Sequence, residues 1–433
     1  MPMDWRCVYQ ELLRKEGHDM LKTNRDTRRI MVALDVGTSK IVAVVAEMRP
    51  DGQGYDIIGL GQTLSKGLRR GVVVDIESAV QAIQRVLEEA EVMAKIKIRE
   101  VMTGIAGSHV KSLNSHGMVA IQNKEVSQGD VDRVLETARA VNIPSDQQIL
   151  HVLTQEFVID GQEDVREPVG MSGLRLEVRV HIVTGSVSAT QNILRCIRRC
   201  GLEAEELILQ PLASARAVVT EDEKALGVCL VDIGGGTTDI AVFVRGAIRH
   251  TAVIPIGGDQ ITGDIAMALR TPLAAAEDIK IRAGCALRHL VDPDQTVAVP
   301  GVGERGIRQM GRQMLVEVIE PRVEELFALV QAELRAHSFM DVIPSGVVLT
   351  GGSSTLEGIL ELGEEIFHVP VRLGIPFYRG PLADVVRKPQ FATALGLLEI
   401  GFDEQQRLQG AKGRMMTWGY SWERIKKWFK GAF

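Results

Sequence analysis

From residue 30 the chain begins with short apolar runs that are separated by polar turns. The first two runs, at 30–34 and 40–48, flank a turn at 35–40, and this arrangement predicts a β-hairpin. Apolar residues then recur at helical spacing from Asp75 to about Met93, which predicts a helix with one buried face. Strands at 57–61 and 71–74 are expected to continue the sheet, and a buried strand is expected at 101–106.

The order of strand, turn and strand returns later in the chain. Strands are expected at 228–231 and 240–244, with a turn at 232–239 between them, and another strand at 247–256 follows a second turn. In both hairpins an Asp stands at the tip of the first strand, and glycine and hydroxyl residues follow it. This is an internal duplication, and it predicts two similar lobes.

Between and after the hairpins the pattern is mainly helical. The region 108–181 differs, because a short helix at 130–141 and strands near 149–157 and 174–183 indicate an inserted α+β unit. A strand at 347–349 ends in a third Gly-rich turn. The other helices are expected at 188–200, 210–219, within 258–286, and at 316–336, 356–367 and 391–400.

Composition places the chain among ordinary globular proteins of several domains. Of 433 residues, 45% are hydrophobic and 24% are charged, and the net charge of −6 argues against a general nucleic-acid binder. Five cysteines without a CxxC pair indicate a reducing compartment. No apolar stretch approaches the ~18 residues of a membrane span. Residues 1–29 lack a secretory signal, so they are expected to be a poorly ordered extension, or to precede a start at Met20 or Met31.

The two matching turns carry groups that suit a phosphate and its metal ion. Glycines let backbone N–H groups approach phosphate oxygens, and Lys40 adds positive charge. Asp35 and Asp232 offer carboxylate oxygens, which Mg²⁺ takes together with water and phosphate. One such turn could be an ordinary hairpin turn, but two at matching positions favour a shared nucleotide site. The expected phosphate-binding residues are Gly37, Thr38, Ser39, Lys40, Gly234, Gly235, Gly236, Thr237 and Thr238.

Weaker candidates for the same site come from the second half of the chain. Gly351, Gly352 and Ser353 lie between a strand and a helix, where they could contact an adenosine or an α-phosphate, although any strand–helix loop can contain two glycines. Glu277 and Lys280 fall on one helix face. They could contact the ribose and base, or form only a solvated ion pair.

Together these motifs resemble the actin-like ATPase superfamily and, within it, most closely the FtsA family of bacterial cell-division proteins. The resemblance covers nearly the whole chain from Ile30 onward. The insertion at 108–181 stands where this family carries its extra subdomain, which separates it from MreB and the chaperones. The matching segments are 35–40 and 232–239 (phosphate loops), 210–215 and 390–398 (connecting helices) and 348–358 (adenosine motif).

The resemblance implies an α/β fold of the actin-like ATPase type, with two duplicated ribonuclease-H-like lobes around a nucleotide cleft, an inserted α+β subdomain and a C-terminal amphipathic helix. It implies ATP and Mg²⁺ as cofactors, head-to-tail polymerisation, capture of the FtsZ C-terminal peptide, and recruitment of later division proteins. It places the protein peripherally on the cytoplasmic face of the inner membrane, at the division septum.

The resemblance also implies a division of the chain. The parts are 1–29 (extension), 30–107 with 182–205 (first lobe), 108–181 (inserted SHS2-like subdomain), 206–257 with 342–402 (second lobe), 258–341 (second-lobe subdomain, proposed to bind FtsZ), 403–416 (linker) and 417–433 (membrane-targeting helix).

Turnover of the nucleotide depends on few residues. Members of the superfamily use a Gln or Glu near the first connecting helix to orient water, and Gln210 occupies about that place, although a backbone contact is an equal alternative. A neutral amide cannot remove a proton from water, so slow or negligible turnover is expected, with Asp232 as the second catalytic candidate. A phosphotransferase of the sugar-kinase or acetate-kinase type is the alternative function. It would need an acid or base aimed at a substrate hydroxyl, and the sequence offers no convincing one outside the phosphate loops.

The C-terminal segment carries a separate signal. Its apolar residues recur at helical spacing among basic residues, the pattern of a helix lying in the headgroup plane of an anionic membrane. Each basic residue adds ~1 kcal/mol near such a surface, and ordering the backbone offsets much of the gain, so one tail should bind reversibly. Several tails on one polymer should bind far more strongly. The alternative is a helix docked on protein. The expected membrane residues are Trp418, Trp422, Ile425, Trp428 and Phe429.

Arg305 and Arg308 lie beside a Gly-rich loop in the subdomain 258–341. They are candidates for pairing with an acidic partner peptide, here the FtsZ peptide, or they are solvated surface charges.

Overall fold

A computed structural model describes residues 29–303 and 305–413. The predicted extension, apart from its last residue, and the predicted membrane helix 417–433 lie outside the described residues. In the described part of the chain the strands are β1 (Ile30–Val36), β2 (Lys40–Met48), β3 (Tyr55–Leu64), β4 (Leu68–Arg69), β5 (Val72–Val73), β6 (Glu100–Ile105), β7 (Lys111–Ala120), β8 (Gln147–Ile159), β9 (Gln162–Val165), β10 (Arg175–Ser186), β11 (Glu203–Leu209), β12 (Val228–Ile233), β13 (Thr238–Val244), β14 (Ala247–Ile254), β15 (Thr296–Val299), β16 (Arg308–Gly311), β17 (Val347–Thr350) and β18 (Val371–Leu373).

The α-helices of the same part are α1 (Ile76–Ala94), α2 (Gln128–Arg139), α3 (Val187–Arg199), α4 (Gln210–Val218), α5 (Glu221–Leu226), α6 (Gly258–Leu269), α7 (Leu273–Ala283), α8 (Arg312–Ala336), α9 (Ile359–Phe367), α10 (Ala383–Val386) and α11 (Ala392–Gly413). None of these helices is both long and apolar enough to cross a membrane.

The first lobe is built on a mixed five-stranded sheet with the order β11-β6-β1-β2-β3. Strands β1 and β2 form the predicted hairpin, in which Asp35 lies opposite Val42, while β6 and β11 run parallel to β1. Helix α1 begins where Asp75 accepts a hydrogen bond from the backbone N–H of Ser78, as its N-cap chemistry predicts. The prediction that 71–74 continues this sheet is wrong: β5 pairs with β4 in a two-stranded ribbon, because tight turns reverse the chain here.

The second lobe repeats this topology with the order β14-β13-β12-β17-β18. Strands β12 and β13 form the antiparallel hairpin, with Asp232 opposite Asp239, and β17 and β18 run parallel to β12. Strand order and strand direction therefore match those of the first sheet, position by position. The predicted duplication is confirmed.

Helices α4 and α11 cross at close range in the apolar core between the sheets. Pro211 lies in the first turn of α4, where its missing N–H leaves no helical acceptor unsatisfied. A Cβ atom on Gly396 of α11 would lie 1.7 Å from the carbonyl oxygen of Ala213. The two backbones therefore touch, and the small residues predicted for this helix are required by the crossing.

Helix α11 extends further than the sequence predicts. Residues 403–413, predicted to belong to a polar linker, are helical. Arg216 of α4 donates to Asp403 at 2.7 Å, and the ring of Phe402 packs on Tyr55 with centroids 5.7 Å apart. These contacts hold the start of the segment against α4 and against β3 of the first lobe, which polarity alone does not reveal.

The inserted unit is a four-stranded sheet with the order β7-β10-β8-β9, covered by α2. Its sheet contacts the outermost strand of the second lobe, β14. Ser112 donates to the carbonyl oxygen of Thr251 at 2.8 Å, and His181 pairs with the Thr251 hydroxyl at 3.0 Å. Arg249 of β14 forms an ion pair with Glu156 at 3.1 Å. The insertion therefore contacts both lobes, since its strand β8 also packs beside Leu209 and Leu212 at the start of α4.

Candidate functional site

A cleft of about 340 Å³ lies between the hairpin turns of the two lobes. It brings together all but one of the residues predicted to bind nucleotide. The exception is Thr238, whose buried hydroxyl donates to the carbonyl oxygen of Ile256 at 2.8 Å and so supports the sheet. The predicted residues that line the cleft are Asp35, Gly37, Thr38, Ser39, Lys40, Gln210, Asp232, Gly234, Gly235, Gly236, Thr237, Glu277, Lys280, Gly351, Gly352 and Ser353.

The two turns have the same internal structure. The N–H of Gly37 donates to the carbonyl oxygen of Lys40 at 3.0 Å, and the N–H of Gly234 donates to that of Thr237 at 2.9 Å. Each turn follows its Asp by two residues, so the duplicated strands present duplicated loops. Lys40 of the first loop and Thr237 of the second occupy equivalent positions.

The loops meet face to face across the cleft. A Cβ atom on Gly235 would lie 1.6 Å from the hydroxyl oxygen of Ser39, so only glycine fits there. That hydroxyl donates to Asp259, at the start of α6, at 3.0 Å. Thr38 accepts from the N–H of Gly71 at 2.9 Å. The first loop is therefore supported from both lobes.

Two carboxyl groups and one amine share the floor of the cleft. Burial raises the pKa of Asp35 to about 6, although the charge of Lys40 opposes this shift and Asp232 adds to it. Burial lowers the pKa of Lys40 to about 8, although Asp35 and Asp232 oppose that shift. The ammonium group of Lys40 also donates to the carbonyl oxygen of Gln390. A divalent cation or a phosphate would relieve the mutual burial of these charges.

Helices α4 and α11 aim polar groups at the two aspartates. The Gln210 amide, at the first residue of α4, donates to Asp35 at 3.2 Å. Ser214, one turn later, donates to Asp232 at 2.5 Å and pairs with the hydroxyl of Thr393 at 3.0 Å. Burial raises the pKa of Asp232, and the hydrogen bond from Ser214 opposes that shift. The connecting helices therefore orient the carboxylates as well as joining the lobes.

Asp239 is the most informative residue that the sequence reasoning left without a role. It lies opposite Asp232 on β13 and lines the cleft. Its Oδ1 is buried without a hydrogen-bond partner among the described residues, while Thr237 donates to Oδ2 at 3.2 Å. Burial, with Asp232 nearby, raises the pKa of Asp239 to about 8. Asp239 could have been recognised from the sequence, because it directly follows the second loop and lies on the same face of the hairpin as Asp232.

Lys280 of the predicted adenosine region is tied to the cleft wall. It pairs with Glu277 at 2.7 Å, as the spacing predicts, and donates to the carbonyl oxygen of Gly258 at 3.0 Å. Ser353 donates to the carbonyl oxygen of Gly234 at 3.3 Å. A solvated ion pair would not make these contacts, so this pair belongs to the cleft.

Gly351 must be glycine, because its φ is 86° and a Cβ atom there would lie 2.4 Å from Oδ1 of Asp232. His109 also lines the cleft, and neither of its buried ring nitrogens has a partner among the described residues. Burial lowers the pKa of His109, which keeps the ring neutral.

Arg305 and Arg308 do not line this cleft and lie at the hairpin of β15 and β16. The Arg305 side chain is exposed. Arg308 is also exposed as a residue, but its guanidinium donates to the carbonyl oxygen of Leu269 at the end of α6. This is a favourable place for a cation, because the last carbonyl groups of a helix lack helical donors. The Arg305 side chain is therefore more available than that of Arg308 to bind a partner.

The residues of the cleft fit a nucleotide and a magnesium ion. Gly235 and Gly236 line the cleft and offer backbone N–H groups, Lys40 supplies charge, and Asp239 has a buried oxygen with no partner among the described residues. Mg²⁺ keeps several waters and takes few protein oxygens, so carboxylates spread over the two loops suit it.

Comparison with known families supports one assignment. The model of the family "Cell division protein FtsA" matches residues 229–396, and that of the "SHS2 domain inserted in FTSA" matches residues 107–184. Three cell-division proteins FtsA illustrate the similarity. The one from Pseudomonas aeruginosa is 56% identical over 94% of this chain and 98% of its own length. The one from Escherichia coli is 42% identical over 94% and 99%, and the one from Bacillus subtilis 38% over 89% and 86%.

Solved structures with the same fold are more distant in sequence. A PilM–PilN type IV pilus biogenesis complex aligns with a TM-score of 0.62 at 19% identity, covering 86% of this chain and 98% of that one. MreB5 of Spiroplasma citri bound to ADP aligns with a TM-score of 0.53 at 15% identity, over 88% and 98%. The MamK double helical filament gives 0.51 at 13%, over 86% and 98%. The predicted actin-like fold is confirmed.

Proposed function

This chain belongs to the FtsA family of cell-division proteins, and on that premise we propose that it binds ATP with Mg²⁺ between its lobes, polymerises, and holds the FtsZ ring at the cytoplasmic membrane. Membership makes it a cell-division protein. Binding of the nucleotide, polymerisation, and contact with the FtsZ peptide and the membrane surface are what we propose beyond that.

The single observation that carries the nucleotide proposal is the facing pair of duplicated loops. Each loop ends a strand with a buried Asp, and both open into one cleft with Lys40 between the carboxylates. Lys40 and the N–H groups of Gly235 and Gly236 would bind the phosphates, and Asp35, Asp232 and Asp239 would hold the metal ion, directly or through water. A bound ion would neutralise phosphate charge. MreB5, which shares the fold, was solved with ADP, and this supports the same ligand class here.

The hydrogen bond from Gln210 to Asp35 supports a binding role more than rapid catalysis. In this position the amide orients the carboxylate, and it can hold a water beside it, but it cannot take the proton from that water. We infer that turnover is slow or negligible.

Attachment to the membrane is proposed from the sequence of the tail alone. Each large apolar side chain of the stripe contributes at most ~1.5–3 kcal/mol when buried, so a single tail binds weakly. Polymerisation would gather many tails and make attachment stable. The MamK filament has the same fold, which supports a polymer of this chain.

Calorimetric titration with ATP, with and without Mg²⁺, tests the cleft. Gly235→Asp is expected to abolish binding, because the new carboxylate would occupy the space against Ser39 and repel phosphate. Gly129→Asp is the matched control: it lies in the first turn of α2, where an acid is favourable and the nearest atom is 3.7 Å away. ATP affinity of Gly235→Asp close to that of the parent would contradict the loop assignment.

Flotation with anionic lipid vesicles tests the tail. The full chain should float and a chain without 418–433 should not. Trp422→Asp, on the apolar stripe, should weaken flotation strongly, whereas Tyr420→Asp, on the opposite face of the helix, should weaken it only by its charge. Equal behaviour of the two variants would argue for electrostatic adsorption instead of an inserted helix.

A further inference from the structure

His250, Glu333 and His337 form a cluster on the second lobe, away from the nucleotide cleft. One ring nitrogen from each histidine and one carboxylate oxygen lie within 4.8 Å of one another. His250 comes from β14, whereas Glu333 and His337 are one turn apart near the end of α8. We propose that these three side chains bind a divalent ion of the zinc class.

The donor set selects that class of ion. Two imidazole nitrogens and one carboxylate oxygen, with water in the fourth position, form a common zinc environment, while Mg²⁺ and Ca²⁺ prefer oxygen ligands. Bonds of ~2.0–2.1 Å in a tetrahedron place the ligand atoms about 3.3 Å apart. Nε2 of His250 lies 2.8 Å from Oε1 of Glu333, and Nδ1 of His337 lies 3.5 Å from that same oxygen. Small side-chain rotations therefore suffice to bind the ion.

The positions of the three ligands are fixed by their elements. Glu333 lies in the last turn of α8, and His337 is the C-cap residue four positions later, so the two side chains lie on the same side. Without metal, Nδ1 of His337 lies 3.1 Å from the carbonyl oxygen of Glu333, and the ion would replace this hydrogen bond. The ring of Phe339 packs on both imidazoles, with centroids 5.4 and 6.1 Å away, and supplies an apolar wall.

The cluster is open to an ion in solution. The His250 side chain is 11% exposed, Glu333 33% and His337 47%, so the cluster is nearly closed at His250 on β14 and accessible at Glu333 and His337. The neighbouring Arg249 is directed to the opposite face of the strand, where it pairs with Glu156. No strong positive charge on β14 therefore competes with the ion.

Binding would connect two parts of the second lobe that carry different contacts. The ion would fasten the end of α8, in the subdomain 258–341, to β14, whose opposite face contacts the inserted subdomain. The proton that Nε2 of His250 donates to Glu333 without metal would move to Nδ1 of the same ring as the ion takes its place. Protons compete with the ion for the ring nitrogens when the histidines are charged, so affinity should fall at acid pH.

The test uses the full chain after treatment with a chelator. The background carries Cys7→Ser and His18→Ala, because these two strong zinc ligands lie outside the described residues. Zinc titrated by calorimetry should show one tight equivalent. His337→Ala should weaken it by more than the ~10–100-fold typical of losing an outer-shell partner. Glu333→Gln, which keeps a hydrogen-bond acceptor for His250, should weaken it as well.

His289→Ala is the control, since His289 is exposed on the same subdomain outside the cluster. It should bind zinc like the parent, and Mg²⁺ should not compete. Cobalt should give visible absorption without the near-ultraviolet bands of thiolate ligation. Absence of a tight equivalent, equal binding by the His337 and His289 variants, or thiolate bands pointing to Cys196 and Cys200 would each overturn the proposal. Glu333 and His337 are both partly exposed, so their variants should fold, and thermal melting without metal checks this.

Discussion

Gly396→Ala tests the contact that joins the two connecting helices. The new Cβ atom would lie 1.7 Å from the carbonyl oxygen of Ala213, about half an ordinary contact distance, and that oxygen belongs to the backbone of α4. Overpacking of this kind costs ~1–3 kcal/mol and more where the neighbour is rigid. Alanine gains ~0.8–1 kcal/mol over glycine in a helix, which offsets part of the cost. We expect a net loss of stability of ~1–2 kcal/mol.

Gly263→Ala is the control for Gly396→Ala. Gly263 lies inside α6, and a Cβ atom there meets nothing within 4 Å, so this variant isolates the helix-propensity gain. Thermal melting should show Gly263→Ala at or above the parent and Gly396→Ala several degrees below it, since ~1 kcal/mol corresponds to ~2–4 °C in a domain of this order. ATP affinity should fall with Gly396→Ala, because α4 and α11 position Ser214 and Thr393 beside Asp232. If Gly396→Ala were as stable as Gly263→Ala, the close crossing would be refuted.

Three further predictions address charge. Burial raises the pKa of Glu399 to about 7 from its ordinary 4.5, despite Arg216 nearby, so its protonated form contributes stability that is present below about pH 4.5 and lost as pH rises through 7. Glu399→Gln should therefore be more stable than the parent at pH 8, and its free energy of unfolding in urea should change less with pH. An unchanged pH dependence would contradict this. Lys40→Met, which conserves volume, should keep the melting temperature within a few degrees but weaken ATP at least ~10-fold in calorimetry, or about 1.4 kcal/mol. Arg305→Glu should weaken binding of an acidic FtsZ peptide in fluorescence anisotropy while ATP binding persists, and unchanged peptide affinity would remove Arg305 from that surface.

Local chemistry explains why the hairpins were predictable. The apolar runs on either side of 35–40 and 232–239 form strands that are buried along nearly their whole length, and the glycines between them permit a tight turn. Repetition of that pattern indicated two lobes, and the small residues of 390–398 indicated a close helix crossing. Each of these features depends on residues that are close together in the sequence.

The strands that the sequence did not reveal depend on distant partners. β11 (Glu203–Leu209) is rich in Glu, and β7 (Lys111–Ala120) is mostly polar, yet both complete a sheet by pairing with β6 and β10. Tertiary context decides such outer strands, because their backbone hydrogen bonds rather than an apolar pattern hold them in place. The helical course of 403–413 has the same cause, since α4 supplies Arg216 to its first turn.

The sequence by itself determined the duplicated loops, the identity of most cleft residues and the family. Only the tertiary structure decided that Asp239 has an oxygen at the cleft without a partner in the described part of the chain, that Ser214 and Thr393 hold Asp232, that Thr238 supports the sheet, and that His250 meets Glu333 and His337. The physical reason is that a motif specifies the backbone of its own turn. The charge, burial and hydrogen bonding of a side chain are set by whichever elements the fold packs against it.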